Sequence, residues 1–271
     1  MKLRKIAEGG TAEVFSLPDG KVVKLYHPEY PPDEAEREAS KAELAYRQGL
    51  PTPEVIEVLQ IEGRQGIVFA DCSGPTMGDW LQERPGEIES MAKLLAALHA
   101  EVHKCSVDGF PTTVQRVQDK IECAESLDDE LKLSLQNSLA AMSGGGSMCH
   151  GDFHPGNVLL SRNGPMIVDW VDGTVGPPVA DVARTVLLVH FSPDSQNANG
   201  AEAHREMKKR FLRAYQTQYL KLRTFAGEDF QRWMCIMAGA RLSENVVDSS
   251  TGNSLLALAK NAGYSGMAVY V

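Results

Sequence analysis

The string His150-Gly151-Asp152-Phe153-His154-Pro155-Gly156-Asn157 runs directly into Val158-Leu159-Leu160. After the turn Arg162-Asn163-Gly164 comes Ile167-Val168-Asp169-Trp170. A carboxylate, an amide oxygen and a second carboxylate thus stand in fixed order on either side of a hairpin. Phosphoryl transfer asks for such a set. Its transition state needs little covalent help, so catalysis is positioning plus neutralisation of charge on the phosphates. One carboxylate must sit by the attacking hydroxyl. A second carboxylate and an amide oxygen must hold magnesium, which takes hard oxygen ligands. Asp152, Asn157 and Asp169 supply these groups, and the hairpin brings Asp169 back beside Asn157.

The spacing Asp-x-x-x-x-Asn equals that of the protein-kinase catalytic loop H-R-D-x-x-x-x-N. More specifically, H-G-D-x-H-x-G-N followed by I-x-D-W resembles the aminoglycoside phosphotransferase and choline kinase group, which shares the protein-kinase-like fold. The resemblance implies that Asp152 is the catalytic carboxylate and that Asn157 and Asp169 bind magnesium. It implies that His150 braces the loop. His154 would approach the γ-phosphate, where protein kinases carry a lysine. Asp181, in Val179-Ala180-Asp181-Val182-Ala183, matches the family's later D-x-A motif and would fix the catalytic loop through hydrogen bonds.

The N-terminal segment tests this independently. A kinase needs a strand lysine for the α/β-phosphates and a helix glutamate to hold it. Lys24, within Val22-Val23-Lys24-Leu25, resembles the V-A-I-K pattern. Glu38, in Glu36-Arg37-Glu38 ahead of Pro51-Thr52-Pro53, resembles the family's E-R-E helix, with Glu36 and Glu43 as competitors. Gly9 and Gly10, in Gly9-Gly10-Thr11-Ala12, would form the phosphate-covering turn, because glycines let backbone amides approach phosphates. Ala12 departs from the full glycine-rich pattern. Ile67–Gly74 resembles the family's hinge, where Phe69 would border the purine and the backbone of Ala70 and Cys72 would pair with the base. ATP and GTP remain equal candidates, since such a hinge reads bases through backbone.

Gly151 replaces the arginine of H-R-D, only about a dozen residues separate Asp169 from Asp181, and no A-P-E occurs. These features favour a small-molecule hydroxyl acceptor over a peptide. Candidate acceptor contacts are Trp170, Asp172, Glu244 and Asp248, the last two on one helix face if a helix spans 228–247. Such carboxylates, with the acidic cluster Glu122, Glu125, Asp128 and Asp129, would suit an aminoglycoside-like or amino-alcohol acceptor. The plainer reading of the cluster is a solvated helix face. His99 and His103 stand at i,i+4, but their order H-x-E-x-H lacks the zinc-protease pattern, so a core or surface pair is expected. Two other readings compete with a small-molecule kinase. One is a catalytically silent binding or regulatory module, and the other is an atypical protein kinase.

The elements that must position these residues can be read from periodicity and punctuation. Val14–Leu17 and Lys21–Tyr26 flank Pro18-Asp19-Gly20, a hairpin signal. Asp33 can cap a helix over 34–47, ended by Gly49 and Pro51. Val55–Leu59 and Gly66–Ala70 read as two further strands. From Ser73-Gly74-Pro75 onward the pattern turns helical: Ile88–Leu98, one region over 112–142, then 179–190, 202–223, 228–247 and a helix from 253. The expectation is an α+β, two-lobed, protein-kinase-like fold. A β-rich nucleotide-binding lobe would span residues 1–71, and a helical lobe with catalytic loop and acceptor site residues 72–271.

Composition bounds the rest. The chain of 271 residues carries 27 Lys+Arg against 36 Asp+Glu, a net charge of −9, and 43% apolar residues. These are globular values. The acidic balance argues against a nucleic-acid partner. No apolar run approaches the roughly 18 residues of a membrane helix, and no targeting segment is evident. The five scattered cysteines make no C-x-x-C, so a reduced cytoplasm is the expected setting. The implied ligands are a nucleoside triphosphate, magnesium and a small acceptor, in a monomer or homodimer.

Overall fold

The apolar and polar residues of Lys21–Tyr26 alternate, and alternation decides which face of a strand is buried. Val23 and Leu25 join Val68 in a core against Phe15, Leu17, Leu59 and Ile61. Lys24, between them, must point to the opposite face. This is seen in a computed structural model that describes residues 4–142, 144–193, 198–244 and 248–260.

In chain order the first elements are β1 (Arg4–Glu8), β2 (Ala12–Leu17), β3 (Lys21–Tyr26), α1 (Glu34–Arg47), β4 (Val55–Ile61), β5 (Arg64–Ala70) and α2 (Met77–Glu83). Next come α3 (Ile88–Val102), α4 (Thr113–Cys123), α5 (Asp129–Ala140), β6 (Ser147–Cys149), β7 (Val158–Ser161), β8 (Gly164–Ile167) and β9 (Thr174–Gly176). The remainder is helical: α6 (Pro178–His190), α7 (Ala198–Leu222), α8 (Gly227–Arg241) and α9 (Ser249–Lys260). The α+β, kinase-like class expected from the sequence holds.

The chain forms two compact units, and the division falls within α2. The first runs to Trp80 and takes in Pro155–Gly173, so it extends beyond the boundary expected after residue 71. Its five-stranded antiparallel sheet has the order β1-β2-β3-β5-β4. Asp19 and Gly20, with φ of 60° and 67°, make the β2–β3 turn. Two positive φ values in succession give a turn whose twist suits a hairpin. The β7–β8 hairpin joins this unit through backbone bonds, Leu160 N–H to Pro75 O at 2.9 Å and Ile167 N–H to Pro51 O at 2.6 Å. A side chain at Gly74 would begin 2.3 Å from Leu160 O, so only glycine lets the two segments pass this closely. Helix α1 has the expected bounds and buries Ala35, Glu38, Ala39, Lys41, Ala42 and Ala45. Asp33 sits at its N-cap without a side-chain cap, because its carboxylate accepts from Arg37 instead.

The second unit comprises Leu81–His154 and the chain from Thr174 on. Helix α3 packs along α7, and both α6 and α9 pack against α8. The helical region expected over 112–142 is two helices. Thr112 and Gln115 form a capping box at the start of α4, and the Asp128 carboxylate caps α5 by accepting from Leu131 N–H at 2.9 Å. Glu122 accepts from Gln136 at 3.0 Å. These bonds fit the plainer reading of the acidic cluster. Strands β6 and β9 pair antiparallel and were not expected, since three-residue strands carry no periodicity. Helix α8 ends at Arg241, not 247, and residues 245–247 lie outside the described residues. No helix among the described residues is long and apolar enough to cross a membrane.

Candidate active site

In the first unit Lys24 lies on β3, paired across the sheet with Val14 and Ile67. Its Nζ donates to both Glu38 carboxylate oxygens at 2.9 and 2.8 Å and to Asp169 Oδ1 at 2.8 Å. Glu38 is therefore the glutamate of α1 that reaches the lysine; Glu43 pairs with Arg47 instead. The Tyr26 hydroxyl also donates to Glu38, a contact the sequence reading did not foresee. Burial disfavours the Lys24 ammonium, but Glu38 and Asp169 outweigh it and hold the lysine above its ordinary range. Burial raises Glu38, against the pull of Lys24. Burial and then Glu38 push Tyr26 up, so it stays a donor.

Asp169 has φ of 68°, left-handed for a non-glycine residue. Such a conformation costs roughly 1–2 kcal/mol and persists only where surroundings over-determine it. Here Val168 N–H bonds Asn157 O at 3.0 Å and Lys24 holds the carboxylate. The residues around Lys24 line a cavity of about 480 Å³, including Gly9, Val22, Phe69, Cys72, Asn157 and Asp169. That volume is within the roughly 300–1,000 Å³ of small-molecule sites. Gly10 is not in the lining, and its carbonyl accepts from Tyr30. Gly9 N–H is bonded to Ala12 O at 2.9 Å. Ala70 N–H is bonded to Glu54 O at 2.9 Å, so of the expected hinge pair only Cys72 lines the cavity. Burial and Asp71 push the Cys72 thiol up to about 11, which keeps it protonated. The amide oxygen of Asn157 and the carboxylate of Asp169 are hard oxygen donors. That donor set fits a magnesium ion.

Trp170 is buried and donates to Thr52 Oγ1 at 3.0 Å, while Thr52 donates to Ile167 O at 2.8 Å. Trp170 is among the residues lining this cavity, and its N–H donates to Thr52. Asp172 follows half-buried in the same segment.

In the second unit Asp152 is held from three sides. His154 Nε2 lies 3.4 Å from Oδ2, Arg184 Nη2 lies 3.7 Å from Oδ1, and the Asp152 N–H donates to His150 Nδ1 at 3.3 Å. Burial opposes ionisation, yet His154, Arg184 and His150 hold the carboxyl well below the usual range. Gly151, with φ of 78°, occupies a conformation glycine adopts without strain. Its N–H donates to Asp181 at 2.9 Å and its carbonyl accepts from Arg184 at 3.2 Å.

Asp181 is fully committed to this loop. It accepts from His150 N–H at 2.6 Å, from Gly151 N–H, and from His99 and His103 Nε2 at 3.0 and 3.2 Å. The Nδ1 atoms of the two histidines lie 2.6 Å from the hydroxyls of Tyr215 and Tyr219. Burial and His103 push His99 down to about 3, and burial likewise lowers His103. Both imidazoles are thus neutral, each donating to Asp181 and accepting from a tyrosine. Their ring nitrogens and Asp181 lie within 4.8 Å of one another, a spacing a metal could bridge. Hydrogen bonds already account for those atoms, and the cluster braces the backbone of His150 and Gly151. The i,i+4 repeats His99/His103 and Tyr215/Tyr219 carried this signal in the sequence, but their pairing joins α3 to α7.

Glu244 and Asp248 do not share a helix face. Asp248 caps α9, accepting from Ser250 and Thr251 N–H at 2.9 Å each, which uses the carboxylate expected to meet an acceptor. Glu244 follows α8 and pairs with Arg184 at 2.7 Å and Lys120 at 2.9 Å.

Solved structures share this fold. An aminoglycoside-3'-phosphotransferase of type VIII aligns with a TM-score of 0.61 and 19% identity over 89% of this chain and 92% of that one. Amicoumacin kinase hAmiN, solved with AMP-PNP, Ca2+ and Ami, aligns with a TM-score of 0.60 and 13% identity over 96% and 87%. A choline/ethanolamine kinase family protein from Mesorhizobium loti aligns with a TM-score of 0.58 and 17% identity over 98% and 89%. No curated protein matches the chain. The model of the phosphotransferase enzyme family APH matches residues 2–225, and the chain belongs to that family.

Proposed function

We propose that the protein is a kinase that moves the γ-phosphate of ATP or GTP to a hydroxyl of a small molecule. The observation that carries this reading is Lys24, bonded to both Glu38 and Asp169 in the wall of a ligand-sized cavity. A lysine so held is a fixed cation for the α/β-phosphates. The first unit, with Gly9 at the cavity wall and Cys72 beside the base, would bind the nucleotide. Magnesium at the oxygens of Asn157 and Asp169 would supply further neutralisation of phosphate charge.

Asp152 serves the acceptor. Ionised at neutral pH, it is an acceptor-only group that orients the attacking hydroxyl. The hydroxyl oxygen forms a bond to the γ-phosphorus, and the bond from that phosphorus to the β,γ-bridging oxygen breaks. The nucleoside diphosphate leaves with the electron pair, and the hydroxyl proton passes to Asp152. A carboxylate this acidic is a weak base before transfer, so the proton moves late, once the oxygen has begun to bond to phosphorus. His154 stands beside Asp152 and would approach the transferred phosphoryl group. The five cysteines are free thiols, as a cytoplasmic setting would require.

A nucleotide-consumption assay over hydroxyl compounds, run beside thermal shifts with ATP and GTP, tests this. Turnover that depends on Lys24 supports it. No shift with either nucleotide points to the silent module, and label passing only to protein would indicate an atypical protein kinase.

A further inference from the structure

Of the non-glycine residues proposed for the site, Asp169 alone has a left-handed backbone, with φ of 68°. Its side chain keeps 34% exposure, so a ligand can reach the carboxylate. A strained backbone persists only where its surroundings impose it. Lys24 holds the carboxylate at 2.8 Å. The chain on either side of Asp169 is held by a single hydroxyl. Thr52 Oγ1 donates to Ile167 O at 2.8 Å and accepts from Trp170 Nε1 at 3.0 Å. It thus spans from two residues before Asp169 to one residue after it. Ile167 N–H donates to Pro51 O at 2.6 Å, so residues 51 and 52 together bind both backbone groups of Ile167. Thr52 is 2% exposed and Trp170 1%, so solvent does not compete for these bonds.

The hydroxyl is presented from a stiff segment. Pro51 and Pro53 restrict the backbone around Thr52, and its N–H donates to Leu50 O at 2.8 Å. A hydroxyl donates and accepts from one atom, which a valine of the same shape cannot do. Beyond Asp169, the buried Lys41 donates to Val171 O, and it lies one turn of α1 after Glu38. Residues 167–171 are therefore pinned at both ends. We infer that Thr52 is a positioning residue: its hydroxyl keeps Asp169 in the left-handed backbone that turns the carboxylate toward Lys24. On the kinase reading above, on which this part rests, the same bond network sets the carboxylate for magnesium. The one proton of the hydroxyl is committed to Ile167 O, so Thr52 acts through Asp169 and has none to offer a phosphate.

Thr52→Val keeps the shape and removes both bonds. Thr52→Ser keeps the hydroxyl and removes the methyl. Two measurements on the full chain separate them. The first is amide exchange, without ligand, at Ile167, Val168 and Gly173, whose N–H groups bond Pro51 O, Asn157 O and Trp170 O. The second is the affinity for manganese, a paramagnetic substitute for magnesium, beside a non-hydrolysable analogue of ATP or GTP. Thr52→Val should speed exchange at these amides while the β2–β3 hairpin exchanges as before. It should weaken manganese binding by about 10–100-fold, the usual result of freeing a metal ligand from the group that orients it. Thr52→Ser should match the wild type in both, whatever its melting temperature. Should Thr52→Val fail to fold, Trp170→Phe removes the N–H that Thr52 accepts and keeps an aromatic ring, and it should move both readouts the same way. Unchanged exchange in Thr52→Val overturns the inference, as does unchanged manganese affinity. It is also overturned if Thr52→Ser loses as much as Thr52→Val, because the side chain would then serve packing alone. A wild type that binds no manganese with either analogue counts against the kinase reading instead, and the exchange of Thr52→Val against Thr52→Ser then decides the positioning role.

Discussion

The two units hold their charged groups in opposite balance. In the first, one lysine stands between two carboxylates: Lys24 bonds Glu38 and Asp169, and the local surplus is negative. In the second, one carboxylate stands among cations: Arg184 and Lys120 both pair with Glu244, and Arg241 lies nearby. A buried charge is tolerated only where a group of opposite sign stands beside it. Net charge, which is −9 for the chain, reports neither.

The largest effect expected is at Asp152. Asp152→Ala should lower kcat by roughly 10²–10⁴-fold, the usual contribution of a positioned acid–base group, while the thermal shift with ATP or GTP persists. Loss of nucleotide binding as well would merge the two halves of the comparison.

The Lys24 cluster comes next. Lys24→Met leaves Glu38 charged and buried, and breaking such a pair costs about 3–5 kcal/mol. Urea melts should show that loss. The double variant Lys24→Met/Glu38→Gln should recover most of the stability and none of the turnover. If activity returned with stability, Lys24 would be a structural residue.

The brace of the second unit predicts a pH signature. His99 titrates near 3 when folded against 6.5 ordinarily, and His103 is lowered too. Below about pH 6.5 the unfolded chain takes up protons that the folded chain refuses. The stabilisation is therefore fully present above pH 6.5. It is lost as pH falls toward 3, by about 1.4 kcal/mol per pH unit for His99, and His103 acts in the same direction. Melts between pH 7 and 4 should show this slope, and His99→Gln should reduce it. A flat profile down to pH 5 would mean that the imidazoles are not held neutral.

The smallest effect sharpens the acceptor side. Asp248→Ala removes a helix cap, worth typically about 1 kcal/mol, and should leave the KM for the acceptor unchanged. A raised KM would return Asp248 to the acceptor contacts.

Much of the fold was legible because local signals agreed with one another. Asp19-Gly20 between alternating runs placed the β2–β3 hairpin, and proline and glycine bounded α1 at its observed ends. Helix α8 was overrun to 247 because nothing in the apolar pattern marks its end at Arg241. The single region over 112–142 concealed a break, since a capping aspartate such as Asp128 resembles any acidic surface residue. At the site, Asp152, Asn157, Asp169, Lys24 and Glu38 could be singled out because phosphoryl transfer demands those side chains in that order. The functional roles proposed for them rest on that demand and on family membership.

The sequence by itself determined the family, and it singled out the His150–Asn157 string and the strand lysine, because each is written in contiguous or regularly spaced residues. Only the tertiary structure decided which glutamate meets Lys24, that Tyr215 and Tyr219 bond the histidines holding Asp181, and that Lys120, Arg184 and Arg241 converge on Glu244. Those contacts join residues up to 124 positions apart. The strength of a charge or hydrogen bond depends on burial and on what stands within a few ångströms, and neither follows from position along the chain.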